Sequence, residues 1–136
     1  MVLSNKNKTR IFYISMAVLF LLFISFVRGI RHLLIQKHEI TNCFIDEIKT
    51  VGREQSVRIK YHFFVDGRLH NSDVAFGQKY MSYENFKSLK NKEVPVAYHY
   101  KFGVMVSYIL IFPDDYADFN IPFPDSLKWI LPLIKN

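Results

Sequence analysis

The first pattern along the chain is a run of apolar positions that contains no charge. From Ile11 to Val27 the sequence reads IFYISMAVLFLLFISFV, with Ser15 and Ser25 as its only polar residues. As a helix this run would span about 26 Å, slightly less than the roughly 30 Å hydrocarbon core of a bilayer. Flanking basic side chains can reach the headgroups, and continuation of the helix to Ile35 would add an apolar collar. The pattern predicts a transmembrane anchor at residues 1–37, with the span at 11–27.

Two alternatives to an intact anchor are a cleaved signal peptide and a lipid-modified cysteine, and the chain lacks the residues that each requires. A secretory signal peptide needs small residues spaced like A-x-A after the run, where Phe26, Val27 and Arg28 stand. Cys43, the only cysteine, lies too far beyond the run to be a lipid-modified terminus. We therefore expect an uncleaved single-pass membrane anchor. Because three basic residues lie on each side of the run, the positive-inside rule does not decide the orientation of the anchor. The short leading tail slightly favours an orientation with the domain outside the cytoplasm.

Beyond the anchor the pattern changes to alternation of apolar and polar positions, which is typical of strands with one buried face. Residues His38–Val51 form a plausible first strand. Ser56–Val65 is the clearest strand, because its apolar positions alternate with basic residues and a histidine. Asp66-Gly67 favours a tight turn, since both residue types tolerate positive φ. Arg68–Phe76 is then expected to return as the partner strand.

Two further strands are predicted in the second half of the domain. Glu93–Tyr100 alternates, and its Pro95 favours an edge position or the start of a strand. Val104–Phe112 is almost wholly apolar, as expected of a central strand, and Pro113 is expected to end it.

Two short helices complete the prediction. Ser82 is a suitable N-cap for the first, and Leu127–Leu131 forms the second, which Pro132 is expected to break. Trp129 on this second helix is expected to pack on the sheet, with a place at the membrane interface as the alternative. The predicted fold is therefore an N-terminal transmembrane α-helix followed by a small α+β domain at 38–136. This domain is a mostly antiparallel sheet or partly open barrel.

The net charge of +6 lies entirely in the predicted anchor region. The basic residues there are Lys6, Lys8, Arg10, Arg28, Arg31 and Lys37, and no acidic residue accompanies them. Residues 38–136 carry twelve basic and twelve acidic residues. A domain without net charge does not attract phosphates over a distance, so nucleic acid is not an expected partner.

The histidines are not spaced like the ligands of a metal site. If Asp66-Gly67 is a two-residue turn, His62 faces Asn71 and His70 faces Phe63, so the two imidazoles point to opposite faces. A three-residue turn would instead make the two histidines cross-strand neighbours. The tight turn is favoured, and we expect two surface histidines rather than a metal site.

No other motif predicts catalysis or cofactor binding. Cys43 lies in a predicted strand, where a cysteine usually behaves as a small apolar residue. Asp114, Asp115 and Asp118 follow Pro113 without the spacing of a calcium loop, so we expect them to cap a helical turn. The five glycines stand too far apart for a phosphate-binding loop. The sequence predicts no enzyme, no cofactor and no small-molecule substrate.

Several segments are similar to those of a group of short bacterial membrane proteins. The similar segments are VPVAY at Val94–Tyr98, SYILIFPDDYADF at Ser107–Phe119, PFPDSLKW at Pro122–Trp129 and the hairpin YHFFVDGRLH at Tyr61–His70. Members of the group resemble one another in having one N-terminal helix and a small β domain, which is the architecture that the resemblance implies here. The group has no assigned activity, so it implies no site residue. Related domains have a Pro-Asn-Pro-like turn where this chain has Tyr100–Gly103.

Aromatic content points to a protein partner. The chain has thirteen Phe, eight Tyr and one Trp, and seventeen of these follow residue 43, more than a domain of this size buries completely. We expect a membrane-anchored, non-enzymatic interaction module, either a subunit of an envelope complex or an immunity-type inhibitor. The alternative is a small accessory subunit that acts mainly through its transmembrane helix. The candidate protein-binding residues are Tyr80, Tyr83, Lys87, Lys90 and Phe102.

The expected orientation can be tested by protease protection of a C-terminally tagged chain. We expect protease to remove the tag in intact spheroplasts, because residues 38–136 would lie outside the cytoplasmic membrane. The tag is followed by immunoblotting, with a cytoplasmic protein as the control for lysis. Protection of the tag until the spheroplasts are lysed would contradict this orientation.

Overall fold

The computed structural model describes residues 5–53, 56–101 and 103–135. The chain divides into two compact units, one ending at Leu33 and one beginning at Leu34. Helix α1 (Asn5–Gln36) contains one segment that is long and apolar enough to cross a membrane. The helix continues beyond the predicted span as far as Gln36. None of the membrane-spanning window is buried by other parts of the protein, which suits a membrane anchor.

The second unit is a five-stranded antiparallel sheet that nearly closes into a barrel, which confirms the predicted fold class. The strand order is β3-β2-β1-β4-β5. The strands are β1 (Glu39–Val51), β2 (Ser56–Val65), β3 (Arg68–Phe76), β4 (Glu93–Lys101) and β5 (Val104–Ile109). The short helices are α2 (Tyr83–Lys87), α3 (Pro113–Asp118) and a 3-10 helix at Asp125–Leu133. The described residues therefore contain three short helices, one more than expected.

The β2–β3 hairpin follows directly from its local sequence. The alternating side chains of β2 place Val57, Ile59, Tyr61 and Phe63 inside, each at most 1% exposed. Asp66 and Gly67 have φ values of 50° and 74°, as a tight turn with two left-handed residues requires. The register pairs His62 with Asn71 and Phe63 with His70. The prediction that the two histidines point to opposite faces is confirmed.

Strand β1 contains a β-bulge opposite the middle of β2. Its register shifts between Ile45, which pairs with Tyr61, and Glu47, which pairs with Lys60. Asp46 is the extra residue, and it lies on the outer face together with Glu47. Ile48 returns to the interior opposite Ile59. The bulge therefore places two consecutive acidic residues on one face of the strand.

Of the two positions expected for Pro95, an edge strand or the start of a strand, the structure shows the second, whereas the expected central position of Val104–Phe112 is wrong. β4 lies between β1 and β5, so Pro95 is not on an edge strand. Pro95 is tolerated because it stands near the start of β4. The first residue pair between β4 and β5 is Val96 with Ile109, which comes after Pro95. β5 is an end strand of the sheet rather than a central one, and it ends at Ile109. The apolar run continues because Leu110–Phe112 leaves the sheet and is buried in the core.

The predicted C-terminal helix also differs from the structure. It is a 3-10 helix that includes Pro132 instead of ending before it. Pro132 lies next to the last residue of the helix, so few backbone hydrogen bonds depend on its missing N–H. Leu127 and Ile130 of this helix are buried, whereas Trp129 is 40% exposed and packs only in part.

The core lies between the concave side of the sheet and the short helices. Phe86 of α2 is fully buried, and its ring stacks at 6.0 Å on Phe76 at the end of β3. Phe112 adds an edge-on contact with Phe76 at 5.4 Å. Leu34, the first residue of this unit, is 3% exposed and belongs to the same core. Aromatic side chains therefore close one end of the barrel.

Adjacent phenylalanines on opposite faces of β2 allow a matched test of this packing. Phe63 is fully buried and Phe64 is 54% exposed. We expect Phe63→Ala to lower the free energy of unfolding by about 3–5 kcal/mol, through lost burial and a new cavity. Phe64→Ala should change it by less than about 1 kcal/mol. Chemical denaturation of the detergent-solubilised chain measures both. Equal effects of the two substitutions would contradict the assignment of faces.

Candidate functional site

Four of the five residues predicted to bind a protein lie close together around α2. The Ser82 hydroxyl caps this helix by accepting a hydrogen bond from the Asn85 N–H at 3.2 Å. Tyr80 precedes the cap, Tyr83 and Lys87 lie on the helix, and Lys90 follows it. We call this region, with Trp129 of the 3-10 helix, the helix surface. Phe102, the fifth predicted residue, lies outside the described residues.

Most charged and aromatic groups of the helix surface contact one another. Three lysine Nζ atoms lie over ring centroids, at 4.7 Å for Lys79 over Tyr80, 5.2 Å for Lys87 over Tyr83 and 5.7 Å for Lys92 over Trp129. Lys87 Nζ is also 2.7 Å from Glu84 Oε2, and this hydrogen bond raises the pKa of Lys87. Tyr80 stacks on the buried Phe112 ring at 5.2 Å. These contacts leave the lysines less available to a partner than the sequence indicated.

A second surface lies on the outer face of β1, β2 and β3. Four large apolar side chains are exposed there: Ile40 by 43%, Phe44 by 42%, Phe64 by 54% and Leu69 by 53%. Phe64 and Leu69 are a direct cross-strand pair. We call these four side chains the sheet-face patch. Side chains of this size on one side of a sheet usually mark a contact surface.

His62 organises the sheet-face patch. Its imidazole stacks on Phe44 at 5.6 Å and contacts Phe64 edge-on at 6.1 Å. Its Nδ1 lies 2.8 Å from Asp46 Oδ1, the carboxylate of the bulge residue. The imidazole is therefore held between two phenyl rings by packing on both sides and by one carboxylate.

Ion pairs border the sheet-face patch on the same outer face. Lys60 Nζ lies 3.0 Å from Glu47 Oε2, and Arg58 Nε lies 3.4 Å from Asp73 Oδ2. The Lys60 contact lowers the pKa of Glu47 and raises that of Lys60. Pairs this exposed add little to stability. They give an apolar surface a charged border, which is the arrangement of a typical protein interface.

A cleft of about 570 Å³ opens at the end of the barrel where the Asp66-Gly67 turn lies. Every strand contributes to its walls, which include Glu39, Val65, Arg68, His70, Tyr98 and Met105. The Tyr98 hydroxyl donates to Glu39 Oε2 at 2.7 Å, and this carboxylate raises the pKa of Tyr98 to about 12. We call this opening the mouth cleft. It has the volume of an ordinary ligand pocket.

One of the acidic residues after Pro113, Asp115, has a structural role. Asp115 is 7% exposed, and its carboxylate accepts hydrogen bonds from the N–H groups of Ile111 and Phe112 at 3.2 and 2.9 Å. It also accepts one from the Tyr108 hydroxyl at 3.1 Å. Asp115 thus stabilises the start of α3, as expected from the position of this cluster after Pro113. Among the described residues, no three His, Cys, Asp or Glu side chains are arranged so that they could hold a metal ion.

Comparison with known proteins found no matching family model, curated protein or solved structure. The resemblance to short bacterial membrane proteins therefore stays a prediction, as do the protein-binding roles of the helix surface. Sequence reasoning missed the sheet-face patch. The signal was present, because Phe44 and Phe64 occupy positions where the alternation of β1 and β2 calls for polar residues.

Cys43 is suited to packing rather than to chemistry. It is fully buried, and burial raises its pKa to about 12. At pH 8 a thiol with such a pKa is about one part in ten thousand thiolate, whereas an ordinary cysteine is ionised to roughly a quarter. We expect iodoacetamide to leave the native chain unlabelled at pH 8 and to label the chain unfolded in guanidinium. Intact mass reports the labelling, and rapid modification of the native chain would contradict the burial.

Proposed function

We propose that this chain is a membrane-anchored, non-enzymatic binding module whose β domain binds another protein through the sheet-face patch. The supporting observation is the group of four apolar side chains, 42–54% exposed, on one face of the five-stranded sheet. Large exposed apolar groups lower the solubility of a domain, and a partner that covers them would remove this cost. An envelope-complex subunit or an immunity-type inhibitor of a toxin, with the domain outside the bacterial cytoplasmic membrane, fits this role.

The sheet-face patch fits a protein partner better than the helix surface does. Phe44 and Phe64 are exposed rings on regular strands, so their positions are fixed before binding and little side-chain entropy is lost. The charged pairs that border them can exchange partners at low cost. On the helix surface, in contrast, Tyr80 and Trp129 already contact lysines of the same chain. We assign it the smaller part in binding.

Photo-crosslinking in the cells that naturally express the chain tests this assignment. Benzoylphenylalanine in place of Phe64 should give one discrete adduct, whereas the same residue in place of Tyr80 should give that adduct at a clearly lower yield. A second substitution, Phe44→Ser, should lower the yield of this adduct by at least about tenfold, since a central interface aromatic is worth about 2 kcal/mol or more, roughly thirtyfold in affinity. An adduct from position 80 alone would contradict the proposal and assign binding to the helix surface.

Two controls separate loss of binding from other effects. The fluorescence of Trp129, the only tryptophan, should remain native in the Phe44→Ser chain. Replacing the apolar run Ile11–Val27 by an unrelated transmembrane segment should leave the adduct unchanged. Loss of the adduct on that replacement would support the accessory subunit that acts through its helix.

A further inference from the structure

Ionisable side chains occupy inner positions of the sheet at the mouth cleft. They are Glu39 of β1 and Arg68 and His70 of β3, all of which line the cleft. Cross-strand partners share a face of the sheet, and the partners of these three residues lie on its inner side. The pairs are Glu39 with Tyr98, Arg68 with Val65 and His70 with Phe63.

The rest of the barrel interior is apolar. Ile45, Ile59 and Val96, which lie on inner positions farther from the mouth cleft, are each at most 1% exposed. Proteins place charged residues at inner positions chiefly at functional sites, because such residues weaken a core. The mouth of a barrel is also a common place for a ligand. The charged mouth cleft is therefore a candidate binding site rather than part of the packed core.

Two carboxylates lie near one hydroxyl in the mouth cleft. The Tyr98 hydroxyl donates to Glu39 Oε2 at 2.7 Å. This hydrogen bond is the main cause that raises the pKa of Tyr98 to about 12, and the negative charge of Asp66 adds to it. The Asp66 carboxylate is therefore close to the same hydroxyl. Strand β1 and the hairpin turn thus bring two negative charges together, which suits an ammonium group.

Arg68 supplies a positive charge that the domain does not pair. Among the described residues, the ion pairs include neither Arg68 nor the carboxylates of Glu39 and Asp66. Opposite charges that line one cleft without bonding to each other remain available to a ligand. A guanidinium binds a carboxylate or a phosphate through two parallel N–H groups, so Arg68 suits an acidic group.

Ligands with a single charge fit the mouth cleft less well. A metal ion has no set of three suitable side chains among the described residues. An anion bound at Arg68 would lie close to two carboxylates, and a cation bound at the carboxylates would lie close to the guanidinium. A ligand that carries both charges complements the whole cleft.

We propose that the mouth cleft binds a small zwitterion, with its ammonium group at the Glu39 and Asp66 carboxylates and its acidic group at the Arg68 guanidinium. Two sources supply this chemistry: a free amino acid and the phosphoethanolamine headgroup of a membrane lipid. Both are small enough for a cleft of about 570 Å³. The mouth cleft lies on the inner side of the sheet and the sheet-face patch on the outer side, so this inference does not rest on the proposed function.

Nuclear magnetic resonance of the full-length chain in maltoside micelles tests the inference. The signal is that of the His70 imidazole, which lines the cleft and is assigned by its loss in His70→Gln. The probes are L-alanine for the free amino acid and glycerophosphoethanolamine for the lipid headgroup. We expect a saturable shift of this signal, and the probe that binds more tightly identifies the source.

Analogues with one charge test whether both charges are recognised. They are ethylamine and propionate for alanine, and ethanolamine and glycerophosphate for the headgroup. Each should bind at least about tenfold more weakly than its zwitterion, because it loses the hydrogen bonds to one charged group of the cleft.

Matched charge variants test which residues bind the zwitterion. Arg68→Gln should weaken binding by at least about tenfold, whereas Lys60→Gln, which removes the same charge from the outer face, should leave the affinity unchanged. Glu39→Gln should weaken binding to a similar extent, with Glu47→Gln as its control on the outer face. Trp129 fluorescence confirms that all four variants are folded.

Four results would overturn the inference. The absence of a saturable shift with either probe would exclude a zwitterion from the mouth cleft. Equal affinities of a zwitterion and its analogues would exclude recognition of both charges. Unchanged affinity in Arg68→Gln or in Glu39→Gln would remove one of the two charges on which the site depends. Equal losses in Arg68→Gln and Lys60→Gln would show that binding follows the net charge of the domain.

Discussion

The packing of the inward side of β2 against the rest of the barrel is the interaction on which the domain depends. Ile59, Tyr61 and Phe63 are each at most 1% exposed, and Phe63 contacts Tyr98 of β4 at 5.9 Å across the interior. A domain of this size has only one core, and β2 crosses it from end to end. The positions of the sheet-face patch and the mouth cleft both follow from this strand and its neighbours.

Local signals were sufficient to predict part of this architecture. The bounds of β2 and β3 and the turn at Asp66-Gly67 agree with the structure, because alternation and turn residues act over a few positions. The position of β5 at the end of the sheet could not be predicted, because strand order depends on contacts between distant segments. An apolar run such as Val104–Phe112 indicates burial, but its last three residues, Leu110–Phe112, are buried outside the sheet. Periodicity alone does not distinguish these cases.

The candidate surfaces were predicted less well than the fold. Sequence clustering brought Tyr80, Tyr83, Lys87 and Lys90 together, since they are close along the chain. It did not show that the side chains of Lys87 and Tyr83 contact each other. The sheet-face patch joins residues from three strands, so it appears only once the register is known.

The bulge at Asp46 has a consequence for how relatives of this chain should be sought. The buried positions of β1 are the odd-numbered Cys43 and Ile45 before the bulge and the even-numbered Ile48 after it. A homologue whose first strand has no bulge would be one residue shorter there. An alignment without a gap would then match its buried residues to exposed residues of this chain on one side of the bulge. Profiles for this domain therefore need a single-residue gap allowed at the bulge. A scoring scheme that penalises gaps within strands would pass over true homologues.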